Sequence, residues 1–214
     1  VPPVYLIEDP AINAFAAGYS PGDAVIGVTY GAMENLTRTQ LQGVIAHEFS
    51  HILNGDMRLN IRLMGILYGI LMLALVGQTI LRGVGVGGRD RSRTTILVIG
   101  VGLMFVGYLG QFFGNLIKAA VSRQREFLAD ASAVQFTRNP EGIADALKRI
   151  GGYQKGSILQ HPESAEISHT FFSEGVSFSF ASLMATHPPL PERIKRIEPL
   201  WNGGFLESTP PEPA

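Results

Sequence analysis

Two long apolar stretches dominate the middle of this chain, and shorter amphipathic patterns lie on either side of them. Residues 63–81 and residues 94–117 contain no charged side chain. A helix that spans a bilayer needs about 20 mostly apolar residues. Glycines recur in both stretches, which favours close packing of two helices in lipid. The pattern predicts a transmembrane helical hairpin over residues 59–118. The alternative, two buried core helices, is disfavoured because so short a chain has little protein to surround them.

The residues before the hairpin have the patterns of a small sheet followed by a helix. Val4–Ile7 and Ala24–Tyr30 are short apolar runs next to turn residues, which predicts two strands, and residues 11–18 are expected to supply a third. Thr37 followed by Gln40 is a capping-box pattern that starts a helix near Arg38.

The residues after the hairpin are predicted to be helical again. One helix is expected over Glu141–Tyr153, with its apolar positions on one face, and a last short helix over Pro191–Leu200. Residues 82–93 are expected to form an exposed glycine- and arginine-rich loop, and the proline-rich residues 201–214 a disordered tail. The fold class is therefore mainly α with a small β-sheet (α+β).

Composition excludes several kinds of function. The 17 lysines and arginines nearly balance the 18 aspartates and glutamates, giving a net charge of -1, so a nucleic-acid partner is not expected. Only 16% of residues are charged, against about 25% in typical soluble domains. There is no cysteine, which excludes disulfides and thiolate metal sites. Any metal ion must therefore be held by histidine, aspartate or glutamate.

The most specific motif lies on the helix that begins near Arg38. His47 and His51 are four residues apart, so both imidazoles share one helix face and can reach one metal ion. Glu48 lies beside the first of them, where it can take a proton from a water that the metal holds. This pattern is typical of zinc peptidases. The alternative is an amphipathic helix that happens to carry two histidines.

A third metal ligand is predicted after the hairpin, because a catalytic zinc usually has three protein ligands and a water. Glu126 and Asp130 are also four residues apart and would share a helix face. Glu126 is the best candidate ligand, while Asp130 would accept a hydrogen bond from a ligand histidine. The alternative is a pair of solvated acids in surface ion pairs with Arg123 and Arg125.

Together these segments resemble the HtpX-like and CAAX-prenyl-protease-like membrane zinc metallopeptidases, which are of the gluzincin type. The resemblance covers about residues 4 to 200, and its segments follow the family's order. The matching segments are Asn13-Ala14-Phe15-Ala16, Ala46-His47-Glu48-Phe49-Ser50-His51, Asn54-Gly55-Asp56-Met57, Arg125-Glu126-Phe127-Leu128-Ala129-Asp130, Thr186-His187-Pro188-Pro189-Leu190 and Glu192-Arg193-Ile194. Full members of the family carry more membrane helices upstream, which implies that this chain is the C-terminal portion of such a peptidase.

The resemblance implies a role for each matching residue. One Zn²⁺ per chain would be bound by His47, His51 and Glu126, with Glu48 as the general base. Asp130 and Arg193 would support the ligands, and Asn13 and Ala14 would lie on an edge strand that lines the substrate groove. His187 would donate to the oxyanion, unless it is only a turn residue held by Pro188 and Pro189.

Four further residues receive no assigned role in the chemistry at this stage. Asn54 and Asp56 either buttress the metal-binding helix or cap its break. His169 is either another site histidine or, as we favour, a packed or exposed one, and His161 is expected to be surface.

The expected organisation is a gluzincin-like peptidase domain, residues 1–58 and 119–200, interrupted by the hairpin at 59–118 and followed by the tail at 201–214. The expected function is a zinc-dependent, membrane-embedded endopeptidase of protein quality control. Its partners would be protein or peptide substrates, mainly membrane proteins, and the lipid bilayer. The alternatives are a CAAX-type prenyl-protein processing protease, a non-catalytic membrane protein with a structural zinc site, or a hydrolase of non-peptide bonds.

The resemblance also favours an integral protein of the cell inner membrane with its site on the cytoplasmic side. Basic residues flank both ends of the hairpin, so charge does not decide its orientation.

Overall fold

The computed structural model describes residues 2–83, 91–152 and 187–206. Its three strands and six helices are β1 (Val4–Ile7), β2 (Ala14–Ala17), β3 (Val25–Thr29), α1 (Tyr30–Asn35), α2 (Arg38–Asn54), α3 (Asp56–Gly83), α4 (Arg91–Thr137), α5 (Pro140–Gly152) and α6 (Leu190–Ile197). The predicted fold class, mainly α with a small sheet, is confirmed.

The chain divides into two compact units, and each is described by itself. One unit joins Val1–Arg58 to Ala119–Ala214, and the other is Leu59–Lys118. The expected division into peptidase portions, hairpin and tail stays a prediction.

The sheet of the first unit has the strand order β1-β3-β2, so β2 is an edge strand. β1 runs parallel to β3, whereas β2 runs antiparallel to it with Ala14 opposite Val28. Thr29 ties the sheet together, because its hydroxyl donates to the Ala11 carbonyl and accepts from the Asn13 amide. This bonding fixes where β2 begins, which is next to the residues expected to meet substrate.

The core of the first unit lies between the sheet, α2 and α5. Ile26 and Val28 of the sheet, Val44 and Ile52 of α2, and one face of α5 are all buried. The buried face of α5 consists of Ile143, Ala146, Leu147 and Ile150, which are the apolar positions predicted from the sequence. Since α2 is packed on two sides, the face that carries His47 and His51 is presented by a rigid element.

α2 and α5 approach closely at a glycine. A Cβ added to Gly43 would lie 2.6 Å from the backbone nitrogen of Ile143. Only a residue without a side chain permits this contact. The position and tilt of α2 therefore depend on Gly43.

The second unit contains the apolar parts of α3 and α4. Both helices are long and apolar enough to cross a membrane, and only 11% of the most apolar window of each is buried. Their backbones meet at small residues: a Cβ on Gly107 would lie 2.4 Å from the Ala74 nitrogen, and one on Gly77 2.5 Å from the Gly100 carbonyl oxygen. Side chains this exposed argue against two core helices of a soluble protein and fit helices that face lipid.

The structure differs from the sequence-based prediction at two places. Residues 82–83 and 91–93 are helical, not part of an exposed loop, and residues 84–90 lie outside the described residues. The start of the expected disordered tail is packed: the Phe205 ring lies against Gly151, and the Leu206 amide donates to the Lys148 carbonyl. Two aromatic rings, Trp201 and Phe205, give this polar tail an apolar anchor. Residues 207–214 lie outside the described residues.

Candidate metal centre

α2 brings the two motif histidines onto one buried face. The helix starts at the predicted capping box, in which the Thr37 hydroxyl accepts from the Gln40 amide and the Gln40 side chain accepts from the Thr37 amide. Ten residues further on, His47 is fully buried and His51 is partly buried, and their Nε2 atoms are 3.1 Å apart. The i, i+4 spacing therefore aims both rings at one point, as predicted.

Glu126 reaches the same point from α4. Its Oε2 atom lies 3.6 Å from His47 Nε2, and its Oε1 atom lies 3.5 Å from His51 Nε2. His47, His51 and Glu126 each place one ligand-type atom within 4.8 Å of the others. The three residues expected to bind zinc are thus brought together from elements far apart in sequence.

Each histidine holds a carboxylate at its other ring nitrogen. Asp130 Oδ1 lies 2.9 Å from His47 Nδ1, and Asp56 Oδ2 lies 2.6 Å from His51 Nδ1. An ionised carboxylate can only accept, so each Nδ1 atom carries a proton, and Nε2 is the ring nitrogen left for a metal ion. Carboxylates in this position orient imidazole ligands and make them more basic.

Arg193 of α6 anchors this arrangement from behind. Its guanidinium is fully buried and donates to both oxygens of Asp130, at 2.9 Å from Nε and 2.7 Å from Nη2. Its Nη1 atom lies 3.3 Å from Glu126 Oε2. A fork-shaped donor suits two carboxylates at once, so Arg193 fixes the partner of His47 and the third member of the cluster together.

The electrostatics of the cluster favour a bound cation. Burial alone would lower the pKa of His47, but the carboxylates of Asp130 and Glu126 outweigh it and raise the pKa to about 9. Burial and the neighbouring His47 lower the pKa of His51. Surroundings that favour a proton on one ring also favour a metal cation shared by both.

The donor set fits zinc. Two imidazole Nε2 lone pairs that face each other at 3.1 Å repel unless a cation or a proton lies between them. Two histidines with one glutamate form a known set of catalytic zinc ligands. The sequence contains no cysteine, and cysteine thiolates are the usual ligands of structural zinc sites.

Glu48 lies beside the histidines and Glu126 and also contacts the sheet. It is only 4% exposed, and its carboxylate accepts a hydrogen bond from the Ala16 amide of β2. Burial raises the pKa of Glu48. A carboxylate with a raised pKa next to a metal centre is suited to taking and returning a proton.

Asn13 and Ala14 lie where β2 begins, at the edge of the sheet. Both are buried, at 2% and 0% exposure. The Asn13 side-chain oxygen accepts from the Ala14 amide, so this edge amide is bonded within the chain. Contact of these two residues with substrate remains a prediction.

His187 lies beside Glu126. Its Nδ1 atom is 3.1 Å from Glu126 Oε2, and its side chain is 11% exposed. The resemblance-based expectation that His187 faces the site agrees with this geometry, whereas its donation to an oxyanion remains a prediction. His161 and His169 lie outside the described residues.

Asp56 is one of the residues whose role sequence analysis left open. The structure places it against His51 and against Arg125. The signal in the sequence was its position directly after Asn54-Gly55, at the break of the metal-binding helix. An acidic residue at this position could equally cap the end of the helix or support the helix that carries the histidines.

The fold and the site together define a class of protein. It is a helical membrane protein with a small sheet and a buried histidine–glutamate group able to hold a metal ion. Residues 2–200 match the peptidase family M48. The chain therefore belongs to peptidase family M48, and the resemblance inferred from its motifs is confirmed.

Similar proteins support the same assignment. The chain is 37% identical over 205 residues to a protease HtpX homolog of Streptococcus uberis, covering 92% of this chain and 67% of that relative. It is also 37% identical over 200 residues to a protease HtpX homolog of Dictyoglomus turgidum, covering 92% of this chain and 62% of that relative. The chain thus spans about two thirds of the length of these curated relatives.

A solved structure supports the fold alone. The crystal structure of S. mikatae Ste24p resembles this chain with a TM-score of 0.56 at 17% identity, covering 91% of this chain and 44% of Ste24p. The fold that surrounds the candidate metal centre is therefore shared with a much larger protein.

Proposed function

We propose that this chain is the catalytic portion of a zinc-dependent, membrane-embedded endopeptidase. One observation carries the proposal: His47, His51 and Glu126 converge on one point, with Glu48 buried beside them. A structural zinc site usually closes its fourth position with another protein ligand and needs no adjacent base. In the described residues only these three form a group able to hold a metal, which favours a catalytic site.

The proposed roles follow from the contacts of each residue. His47, His51 and Glu126 would hold one Zn²⁺, which supplies Lewis acidity and makes water a nucleophile at neutral pH. Glu48, with its pKa raised by burial, would take the proton from the attacking water and return it to the leaving amine. Asp130 and Arg193 keep the ring of His47 in place, and His187 would stabilise the developing oxyanion.

Substrate would bind as an extended segment beside β2. This strand is an edge of the sheet, and its Ala16 amide contacts Glu48, so a peptide paired with it would lie next to the base. We propose membrane proteins as the substrates and quality control as the role. The similarity to protease HtpX homologs, at 37% identity, supports this choice over prenyl-protein processing.

The decisive experiment compares the wild type with Glu48→Gln in detergent. We expect about one zinc per chain in both, and cleavage of casein only by the wild type. The matched control is Glu34→Gln, since Glu34 is exposed on α1 and outside the site. Removal of metal by a chelator should abolish cleavage, and added zinc should restore it.

Each other outcome would contradict part of the proposal. Full activity of Glu48→Gln with zinc bound would rule out this base. Zinc without cleavage by the wild type would favour a structural site, and cleavage restricted to non-peptide esters would favour a different hydrolase.

A further inference from the structure

The break between α2 and α3 places a second carboxylate against the metal centre. Gly55 ends α2 with a left-handed backbone, φ 69°, and Asp56 begins α3. This turn carries the Asp56 side chain back to His51, where its Oδ2 atom lies 2.6 Å from Nδ1. Asp56 is only 7% exposed, so it is part of the buried site and not of the solvated surface.

Arg125 holds Asp56 in this position. Its Nη2 atom pairs with Oδ1 of Asp56 and donates to the carbonyl of Asn54 at 2.7 Å. The Asn54 carbonyl is one of the last in α2 and has no helical partner of its own. Arg125 of α4 therefore ties the end of α2 and the start of α3 to the residue next to Glu126 in sequence.

Each of the two histidines therefore contacts a carboxylate that is itself paired with an arginine. The carboxylate on His47 is Asp130, held by Arg193, and the carboxylate on His51 is Asp56, held by Arg125. The arginines differ in exposure, since the side chain of Arg193 is 0% exposed and that of Arg125 is 28% exposed. The support of His51 is therefore the more accessible to solvent.

We infer that Asp56, held by Arg125, is a positioning residue that fixes the ring of His51 for metal binding. The inference rests on the proposed metal site. Asp56 would keep the proton of His51 on Nδ1, leaving Nε2 free for the ion, and would make that nitrogen a stronger ligand. The left-handed turn at Gly55 then serves the metal centre, because it carries the residue after it back to His51.

The test measures zinc affinity by chelator competition on the full chain in detergent. Loss of such a carboxylate partner typically weakens metal binding about 10- to 100-fold, and we expect a loss in this range for Asp56→Asn and at least as large a loss for Asp56→Ala. The matched control is Asp145→Asn, because Asp145 pairs with Lys148 away from the site and should leave zinc affinity unchanged. The Co²⁺-substituted protein should show an altered ligand-field spectrum for Asp56→Asn only.

Two neighbouring variants separate positioning from general destabilisation. Gly55→Asn tolerates a left-handed backbone and should retain zinc affinity, whereas Gly55→Val should lose it, although neither side chain would clash at Cβ. Arg125→Gln should weaken zinc binding less than Asp56→Ala, because Asp56 keeps its bond to His51.

The outcomes for this inference and for the proposed function are distinct. If wild type binds zinc and Asp56→Asn binds it equally tightly with an unchanged Co²⁺ spectrum, the positioning role is wrong while the peptidase proposal stands. If wild type binds no zinc, the proposed metal site fails and this inference fails with it.

Discussion

Arg193 and Asp130 form a buried two-point ion pair, with Nε 2.9 Å from Oδ2 and Nη2 2.7 Å from Oδ1. The two residues are 63 positions apart in the chain. Their pairing joins α6 to α4 directly behind His47, whose Nδ1 contacts the same carboxylate. Arg193 thus orients one of the three proposed metal ligands from outside the group that would hold the ion.

The pair gives a first prediction about stability. Arg193→Met leaves Asp130 buried without its cation, and removing one partner of a buried pair typically costs about 3–5 kcal/mol. We expect a loss of that size in the free energy of unfolding. The double variant Arg193→Met/Asp130→Asn should lose less than the single variant, because the charge of Asp130 is then removed together with that of its partner. Denaturant unfolding in detergent would measure both, and equal stability of Arg193→Met and wild type would contradict the argument.

Local patterns in the sequence predicted the elements better than the connections between them. The capping box at Thr37 and Gln40 and the buried face of α5 follow from short-range spacing, and both are present. The site required more, because Glu126 lies 75 positions after His51 with the hairpin between them. Spacing alone offered Glu126 as a candidate, and its distance to the histidines is a property of the folded chain.

The role of Asp56 could not be derived from the sequence for a physical reason. Whether an acidic residue after a glycine caps a helix or turns back toward it depends on the backbone angles of that glycine. Because Gly55 has a left-handed conformation, Asp56 turns back toward α2. Likewise, residues 201–206 belong to a proline-rich stretch that predicts a disordered tail, but two aromatic rings suffice to hold them on α5.

A second prediction concerns Gly43, where α2 and α5 are closest. Gly43→Ala would place a Cβ 2.6 Å from the Ile143 nitrogen, and neither backbone can yield without moving a helix. Overpacking of this kind typically costs about 1–3 kcal/mol. We expect that loss of stability together with reduced zinc affinity, because α2 carries both histidines. The control is Gly22→Ala, whose Cβ would meet only the Ser20 hydroxyl at 3.9 Å.

Unchanged stability of Gly43→Ala would mean that the helix pair is less tightly packed than the structure shows. Lowered stability with unchanged zinc affinity would mean that the geometry of the metal centre does not depend on how α2 packs on α5.

A third prediction concerns the close approach of the two membrane helices. Gly107→Val would collide with the Ala74 backbone, since even a Cβ lies 2.4 Å from its nitrogen. Gly102→Val changes the same helix by the same side chain, but nothing lies within 4 Å of its Cβ. Small residues allow helices to pack closely in lipid, so only the first variant should lower the thermal unfolding temperature in detergent. Equal effects of the two variants would indicate a contribution of helix propensity and not of packing.

A fourth prediction tests His187, which contacts Glu126 and is proposed to stabilise the oxyanion. Loss of one oxyanion donor typically lowers kcat about 10²- to 10³-fold. We expect this drop for His187→Ala, with little change in KM, because the interaction forms only as charge develops on the substrate. Zinc content should stay that of the wild type, since the three proposed ligands remain. Loss of zinc from His187→Ala would instead identify His187 as a support of Glu126, whose Oε2 atom it approaches to 3.1 Å.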